Sequence, residues 1–211
     1  MELTAAEPRR KNLTQLYLDG EPGPKIDTEV FLLSRLQPGD VLDQEELQEL
    51  VARSDARRAQ EKALYLLEHR SHSKRELTEK IARTTASREA AQAAADHLEE
   101  IGLLNDRAYA ESFVKELLLR KGYGVRRVRQ ELARKGIAPE IANQVLDQWE
   151  DLDQTARENM ARVLEKRYPR WREEEAVRRR AVAALQRLGY TWDQVRDALS
   201  SWEQDLSLIH I

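Results

Sequence analysis

The stretch from Lys121 to Leu146 reads KGYGVRRVRQELARKGIAPEIANQVL, and its pattern recurs 53 positions later in the chain. Superposing Leu132 on Leu185 brings further identical residues into register. These are Arg127 with Arg180, Arg134 with Arg187, Gly136 with Gly189, Leu146 with Leu199 and Trp149 with Trp202. The matches fall on a helix stop, on apolar positions and on a basic face. Such self-similarity predicts stacked helical units, none of which can bury its apolar stripe alone.

The composition suits a helical protein whose helices are largely exposed. Charged residues make up 35% of the chain and aromatic residues 6%, which is typical of helices with narrow apolar stripes. The absence of cysteine excludes disulfides and thiol chemistry. The first residues, MELTAAEPRRKNL, lack the apolar core of a signal peptide, and no stretch approaches the roughly 18 apolar residues of a membrane span. We therefore expect a soluble cytoplasmic protein.

Charge is unevenly distributed along the chain, although the net charge is only −3. Residues 1–56 hold 6 Lys/Arg against 12 Asp/Glu, whereas residues 57–211 hold 29 against 26. The beginning of the chain is therefore acidic and the remainder slightly basic. This balance excludes a polycationic DNA-binding protein. Any contact with phosphate has to come from local basic patches and would weaken steeply with salt.

Residues 1–55 are predicted to form a small acidic module that contains a β-hairpin and a helix. The run LYLDGEPGPKI indicates a short strand, with Asp19-Gly20 as the hairpin signal and Pro22-Gly23-Pro24 as a second break. The boundary to the helical body is placed near Ser54. The predicted caps of the first two helices are Asp27 and Asp43.

The remainder of the chain predicts three tandem three-helix repeats, at 56–105, 106–152 and 153–205, with a tail at 206–211. The third repeat lacks the Gly-x-Gly break that the second has at Gly122 and Gly124. The predicted fold is therefore all-α, an elongated stack of repeats behind a small β-containing module. The residues predicted to begin or end the helices are Ser73, Ser87, Gly102, Gly136 and Pro139.

Several motifs in this body resemble the RecX family. The first lies at Leu64, Leu67, Arg70, Ser73, Glu76 and Leu77, and the second, GLLNDRAYAESFV, at Gly102, Leu103, Asp106, Tyr109, Ala110, Phe113 and Val114. The third, KGYGVRRVRQELARKGI, contributes Gly124, Arg127, Glu131, Leu132, Lys135, Gly136 and Ile137. The N-terminal YLDGE is similar to an extension found in some members. The resemblance covers nearly the whole chain, strongly over 60–150 and weakly after 155.

The resemblance implies a regulator of the RecA recombinase. Members of the family are built from tandem three-helix units, bind RecA and its filament on single-stranded DNA, and inhibit filament growth, ATP hydrolysis and strand exchange. Such a protein acts in the SOS response, DNA repair and homologous recombination. Some members also bind DNA, and here we expect that binding to be weak and salt-sensitive. Because exposed apolar patches are scarce in the sequence, we expect a monomer.

The candidate binding residues are cations of the second and third repeats. Guanidinium groups suit bidentate pairing with carboxylate or phosphate, so an acidic protein groove or a nucleic-acid backbone would serve as partner. Arg120, Arg127 and Arg134 are predicted to lie near one face. The alternative is a solvated face held by local pairs such as Arg127–Glu131. The predicted basic face comprises Arg120, Lys121, Arg126, Arg127, Arg129, Arg134, Lys135, Arg178, Arg179, Arg180 and Arg187.

Other chemistry finds little support in the sequence. His69 and His72 have the wrong spacing for a helical metal-binding pair. Trp149 and Trp202 follow equivalent helices, which favours packing over base stacking. No phosphate-binding loop, nucleophile elbow or paired carboxylate motif is present, so we expect no catalytic residue, no cofactor and no enzymatic activity. The remaining alternatives are a helix-turn-helix repressor, since a basic helix ended by glycine can be a recognition helix, and a helical-repeat adaptor for another acidic protein.

Overall fold

The computed structural model of the chain describes residues 1–84 and 87–207. It divides into two compact units, Met1–Asn105 and Asp106–Ile211. In the described residues there are ten α-helices and one three-stranded antiparallel sheet, so the protein is mostly helical. None of the described helices is both long and apolar enough to span a lipid bilayer.

The sheet begins the first unit and has one strand more than the predicted hairpin. Asp19 and Gly20 both have positive φ, as the tight turn requires, which confirms the hairpin signal. The predicted break at Pro22-Gly23-Pro24 is wrong, because these residues lie within the third strand. This strand pairs on one side only, so its prolines remove no second row of ladder bonds. The strands, in sheet order, are β1 (Leu3–Arg9), β2 (Leu13–Leu18) and β3 (Glu21–Asp27).

Two helices follow the sheet, α1 (Thr28–Ser34) and α2 (Gln44–His69). Asp27 and Asp43 cap them as predicted, and Asp43 forms a capping box with Glu46. The boundary predicted near Ser54 falls inside α2, which runs on without interruption. Ser54 is buried and its Oγ accepts a hydrogen bond of 2.8 Å from the Asp27 amide, so packing on the sheet keeps this point helical.

The continuous helix α2 takes part in two separate hydrophobic clusters. Its first half contributes Leu47 and Leu50 to a cluster with the sheet, and its second half contributes Ala59 and Ala63 to a cluster with the next two helices. Those helices are α3 (Lys74–Ala82) and α4 (Arg88–Glu100). The predicted caps Ser73 and Ser87 are confirmed, and Gly102 follows α4 with φ of +75°.

The second unit contains six helices and two further clusters. One cluster lies within 109–152 and the other within 156–202, and each draws its residues from three consecutive helices. The predicted stripe of Tyr109, Ala110 and Val114 is buried in the first of these. The helices are α5 (Asp106–Lys115), α6 (Val125–Arg134), α7 (Pro139–Asp147), α8 (Leu152–Arg167), α9 (Glu175–Arg187) and α10 (Trp192–Ser207).

A π-helical turn, Glu116–Arg120, continues α5 and has no counterpart in the sequence prediction. Trp149 is half-buried against the first cluster of this unit and Trp202 against the second. The four clusters fall within the ranges expected for the module and the repeats, but the number of repeats stays a prediction. The predicted tail begins at 206, whereas α10 runs to Ser207, and residues 208–211 lie outside the described residues.

Candidate interaction surface on helix α6

Helix α6 is amphipathic, and its buried side is narrow. Val128 and Leu132 are fully buried, one helical turn apart, and Val125 packs partly against the same cluster. Gly124 precedes the helix and Gly136, with φ of +79°, follows it. The narrow buried stripe leaves most of the remaining positions, including Arg126, on the exposed side.

Arg127 is directed at the end of α9 rather than at solvent. Its Nη1 donates to the carbonyl oxygen of Arg187 at 3.1 Å, and its guanidinium lies 4.8 Å from the centre of the Tyr123 ring. Its Nη2 is also 3.4 Å from Glu131 Oε1, and only 35% of the side chain is exposed. These contacts commit Arg127 to the internal structure of the second unit.

The contact between α6 and α9 depends on two glycines. The amide of Gly124 donates to the carbonyl oxygen of Leu188 at 2.8 Å. A Cβ at Gly124 would lie 2.5 Å from the Gly189 carbonyl oxygen, and one at Gly189 would lie 2.5 Å from the Arg127 amide nitrogen. The beginning of α6 therefore lies directly on the end of α9, where the opposite partial charges of the two helix ends attract.

Two buried side chains hold the same region together. The Tyr190 hydroxyl donates to the carbonyl oxygen of Gly122 at 2.9 Å, and burial raises the pKa of this phenol to about 12. Asn159, on α8, donates through Nδ2 to the carbonyl oxygen of Leu118 at 2.8 Å. Leu118 lies in the π-helical turn, so Asn159 satisfies a backbone acceptor in an irregular part of the chain.

The other predicted cations of α6 and the segment before it have varied surroundings. Lys121 Nζ is 3.3 Å from Glu116 Oε1, and Arg129 Nε donates to Asn143 Oδ1 at 3.2 Å. Lys135 Nζ lies 6.0 Å from the centre of the Phe113 ring. Arg120 and Arg126 are exposed, and neither has an ion-pair partner among the described residues.

Local pairing, the alternative interpretation, does occur on this helix. Glu131 Oε1 is 3.4 Å from Arg127 Nη2 and 3.2 Å from Arg134 Nη1. The Arg134 side chain is nevertheless 71% exposed, so its guanidinium stays accessible. One carboxylate thus serves two arginines and leaves the surface of α6 with excess positive charge.

The cations of α9 are divided in the same way. Arg178 is half-buried, Arg179 Nε lies 3.4 Å from Glu175 Oε1, and Arg180 Nε donates to the Ala176 carbonyl oxygen. The Arg187 side chain is exposed and has no partner among the described residues. Since the Arg187 carbonyl oxygen accepts from Arg127, the end of α9 brings a free cation close to α6.

Comparison with known proteins assigns the chain to a family. The model of RecX, second three-helix domain, matches residues 105–146. Regulatory protein RecX of Stenotrophomonas maltophilia is 36% identical over 139 residues, which cover 65% of this chain and 83% of that relative. The chain belongs to the RecX family. The resemblance in the sequence motifs is thereby confirmed.

More distant RecX relatives differ in how much of their length is matched. Regulatory protein RecX of Clostridium perfringens is 25% identical over 199 residues, or 91% of this chain and 92% of the relative. The Listeria welshimeri protein of the same name is 26% identical over 156 residues, and the match spans only 58% of its length. Members of the family therefore extend beyond the matched segment to different degrees.

Solved RecX structures share the fold. A crystal structure of regulatory protein RecX aligns with a TM-score of 0.64 and 21% identity, covering 93% of this chain and 98% of that one. RecX from Lactobacillus salivarius aligns with a TM-score of 0.63 and 20% identity over 71% of this chain. The described sheet and helices therefore form a RecX fold.

The histidines of this RecX chain offer no metal site. His69 Nδ1 lies 2.7 Å from the Tyr65 carbonyl oxygen, and His72 lies between the Arg70 carbonyl oxygen and Lys80 Nζ. Across residues 1–84 and 87–207 no group of three or more metal-ligating side chains is close enough to hold an ion.

The sequence did not reveal two features of this region. Arg162 on α8 donates to the Leu119 carbonyl oxygen at 3.4 Å, which adds a third helix to the basic surface. The seating of Gly124 on Gly189 was also missed, because the recurrence of Gly136 at Gly189 indicates only a helix stop. The region as a whole can donate hydrogen bonds from several exposed guanidiniums to an anionic partner.

Proposed function

We propose that this protein regulates RecA by binding it and its filament on single-stranded DNA. In this proposal it inhibits ATP hydrolysis, filament extension and strand exchange, and so modulates homologous recombination, DNA repair and the SOS response in the bacterial cytoplasm. It acts by binding and not by catalysis. The observation that carries the proposal is the 36% identity to a protein named regulatory protein RecX.

The surface that we propose for the contact is the exposed side of α6 and the end of α9. Arg126 and Arg187 are exposed and have no carboxylate partner among the described residues. A guanidinium without a partner gains most from a carboxylate or phosphate that a binding partner supplies. We therefore propose that this surface contacts an acidic groove of RecA or the DNA backbone and excludes an incoming protomer or duplex.

Contact with naked DNA is expected to be weak in this proposal. The chain has a net charge of −3, so attraction to phosphate is limited to the local patch. Binding through a few phosphate contacts falls steeply as salt rises. We propose a monomer that engages RecA first and DNA only where the filament presents it.

The direct test is the single-stranded-DNA-dependent ATP hydrolysis of RecA with this protein titrated in. Inhibition well below one molecule per RecA protomer is expected, because one bound molecule that blocks filament extension affects many protomers. No inhibition at equimolar concentration, with RecA otherwise active, overturns the proposal. Sequence-selective duplex binding in its place would favour the helix-turn-helix repressor, and recovery of a different acidic protein from lysate would favour the adaptor.

The proposed surface is tested by the double substitution Arg126→Glu and Arg129→Glu. We expect at least roughly tenfold weaker inhibition, since reversing two cations both removes attraction and adds repulsion. Arg127 is left unchanged because its guanidinium packs against α9. The measurement is the concentration that halves the ATPase rate, with circular dichroism to verify folding.

The matched control is Arg53→Glu with Arg75→Glu, an equal charge change at two exposed positions of the first unit. This variant is expected to inhibit like the unmodified protein. Equal weakening by both double variants would show that total charge, rather than the surface of α6, governs the effect, and would overturn the proposed contact.

A further inference from the structure

A shallow groove of about 690 Å³ lies along the second half of α2 in the first unit. Leu64 and Tyr65 of α2 border it together with Leu103, which follows α4, and these side chains are 50%, 54% and 57% exposed. Leu67 contributes a half-buried apolar wall. Three of the ten exposed large hydrophobic residues in the described chain thus border one hollow, which marks it as a local apolar surface.

Packing within the unit does not account for these leucines. The inward side of α2 is formed by Ala59 and Ala63, which are fully buried against α3 and α4. Leu64 follows Ala63 by one residue, and a helical step of about 100° turns it toward solvent. An exposed leucine gains little from folding, so its gain can only come from an occupant of the groove.

The rim of the groove is acidic. Glu61 precedes Leu64 by three residues and Glu68 follows it by four, so all three lie on one side of α2. Glu61 pairs with Arg57 at 3.2 Å, whereas Glu68 has no ion-pair partner among the described residues. The nearby Lys62 is drawn toward the Tyr65 ring, 4.7 Å from its centre. An occupant with apolar side chains and flanking cations complements this surface.

We propose that the groove binds an amphipathic helix of a partner protein, with leucine-like side chains on one stripe and lysine or arginine beside it. The stretch from Glu61 to Glu68 is about 10 Å long, which corresponds to two turns of a docked helix. Helices dock in such grooves through anchors at positions i, i+3 or i+4, and i+7. This contact is separate from the arginines of α6 and goes beyond the regulation of RecA proposed above.

The test uses a fluorescein-labelled 18-residue peptide of leucine and lysine, with leucines at helical spacing, titrated with the full-length protein in near-physiological salt. Fluorescence anisotropy reports binding. Leu64→Ser with Leu103→Ser is expected to weaken binding at least about tenfold, because both anchors of the groove become polar. Leu64→Met with Leu103→Met is expected to retain it, since methionine keeps an apolar surface of similar size.

The matched control is Leu32→Ser with Leu33→Ser, because these leucines of α1 are 67% and 65% exposed and do not line the groove. Unchanged binding by this control and loss in the groove variant support the proposal. Equal weakening by both, or no binding by the well-folded unmodified protein, overturns it. The peptide experiment contains no RecA, so its failure leaves the ATPase test unaffected.

A second copy of this chain is the competing occupant. Sedimentation of the unmodified protein and of the Leu64→Ser, Leu103→Ser variant distinguishes the two cases. A dimer that is lost only in the variant would overturn the proposal in favour of self-association, whereas monomers in both support a groove that is open to a partner helix.

Discussion

At the scale of single residues, two neighbouring arginines on α6 have different tasks. Arg127 donates to the end of α9 and is 35% exposed, whereas Arg126 is exposed and has no partner among the described residues. A helical step of about 100° separates their directions. Replacing Arg127 would therefore combine a packing defect with any loss of binding, which is why Arg126 is the better probe of the surface.

His72 is a residue whose titration should affect stability. It is 2% exposed, its Nδ1 lies 2.9 Å from the Arg70 carbonyl oxygen, and its Nε2 lies 3.0 Å from Lys80 Nζ. Because Lys80 donates to Nε2, the ring is neutral and carries its proton on Nδ1. Burial, followed by the charge of Arg70, lowers the pKa of His72 below its ordinary value.

We expect the protein to lose stability as the pH falls below about 6.5, the ordinary pKa of histidine. The unfolded chain takes up the proton first, so the contribution of His72 is present above that pH and is lost as the pH falls through the lowered folded-state value. The measurement is the urea midpoint between about pH 8 and pH 5, compared with His72→Gln. His69→Gln, at an exposed position, is the control. Equal pH slopes for the unmodified protein and His72→Gln would contradict this assignment.

At the scale of elements, the second unit is organised around the meeting of α6 and α9. Gly124 and Gly189 allow the backbones to touch, and Tyr190 and Asn159 satisfy carbonyl groups beside that contact. Neither a larger residue at the two glycines nor an apolar residue at Asn159 is compatible with this arrangement. The position of the basic surface on α6 therefore depends on helices that follow it in the chain.

Gly124→Ala is expected to destabilise the second unit by roughly 1–3 kcal/mol, the usual cost of overpacking. The φ of Gly124 is −75°, which alanine adopts freely, so the loss would come from the clash with Gly189 and not from backbone strain. Thermal unfolding measures the loss, and amide hydrogen exchange at Tyr190 locates it.

Gly102→Ala is the control for that substitution. Gly102 has φ of +75° with no atom near its missing Cβ, so alanine there costs strain alone, on the order of 1 kcal/mol. Exchange at Tyr190 should accelerate in Gly124→Ala and stay unchanged in Gly102→Ala. Unchanged exchange in both variants would mean that the contact between α6 and α9 yields without cost.

At the scale of the whole molecule, the chain consists of two compact units, each with its own apolar clusters. A unit that buries its own core is expected to fold by itself. The acidic residues concentrate at the start of the first unit, and the proposed basic surface belongs to the second. The two proposed contacts, the groove on α2 and the cations of α6, are therefore carried by separate units.

We expect fragments 1–105 and 106–211 each to show a helical circular dichroism spectrum and a cooperative thermal transition. Fragment 106–152 is the control, because it keeps its own cluster but loses Asn159, Leu188 and Tyr190, which contact α6 and the π-helical turn. It should unfold at a lower temperature than 106–211. If 106–211 is unfolded by itself, the division into two units does not describe folding.

Much of the local structure was determined by the sequence itself. Ser73 and Ser87 cap helices as predicted, Asp19-Gly20 forms the hairpin turn, and Gly102 ends α4. These features involve residues within a few positions of one another, so side chain and backbone alone decide them. The apolar period likewise determined which side of α6 is buried, and three ordered motifs sufficed for the family.

Only the tertiary structure decided how distant residues use the same local signals. Ser54 continues α2 because the amide of Asp27 on the sheet donates to it, and the proline-rich segment is a strand because it lies at a sheet edge. The Arg127 guanidinium is occupied because α9 ends beside it, 60 residues later in the chain. Each outcome depends on a contact between remote parts of the chain, and the period and propensity of a single segment carry no information about such a contact.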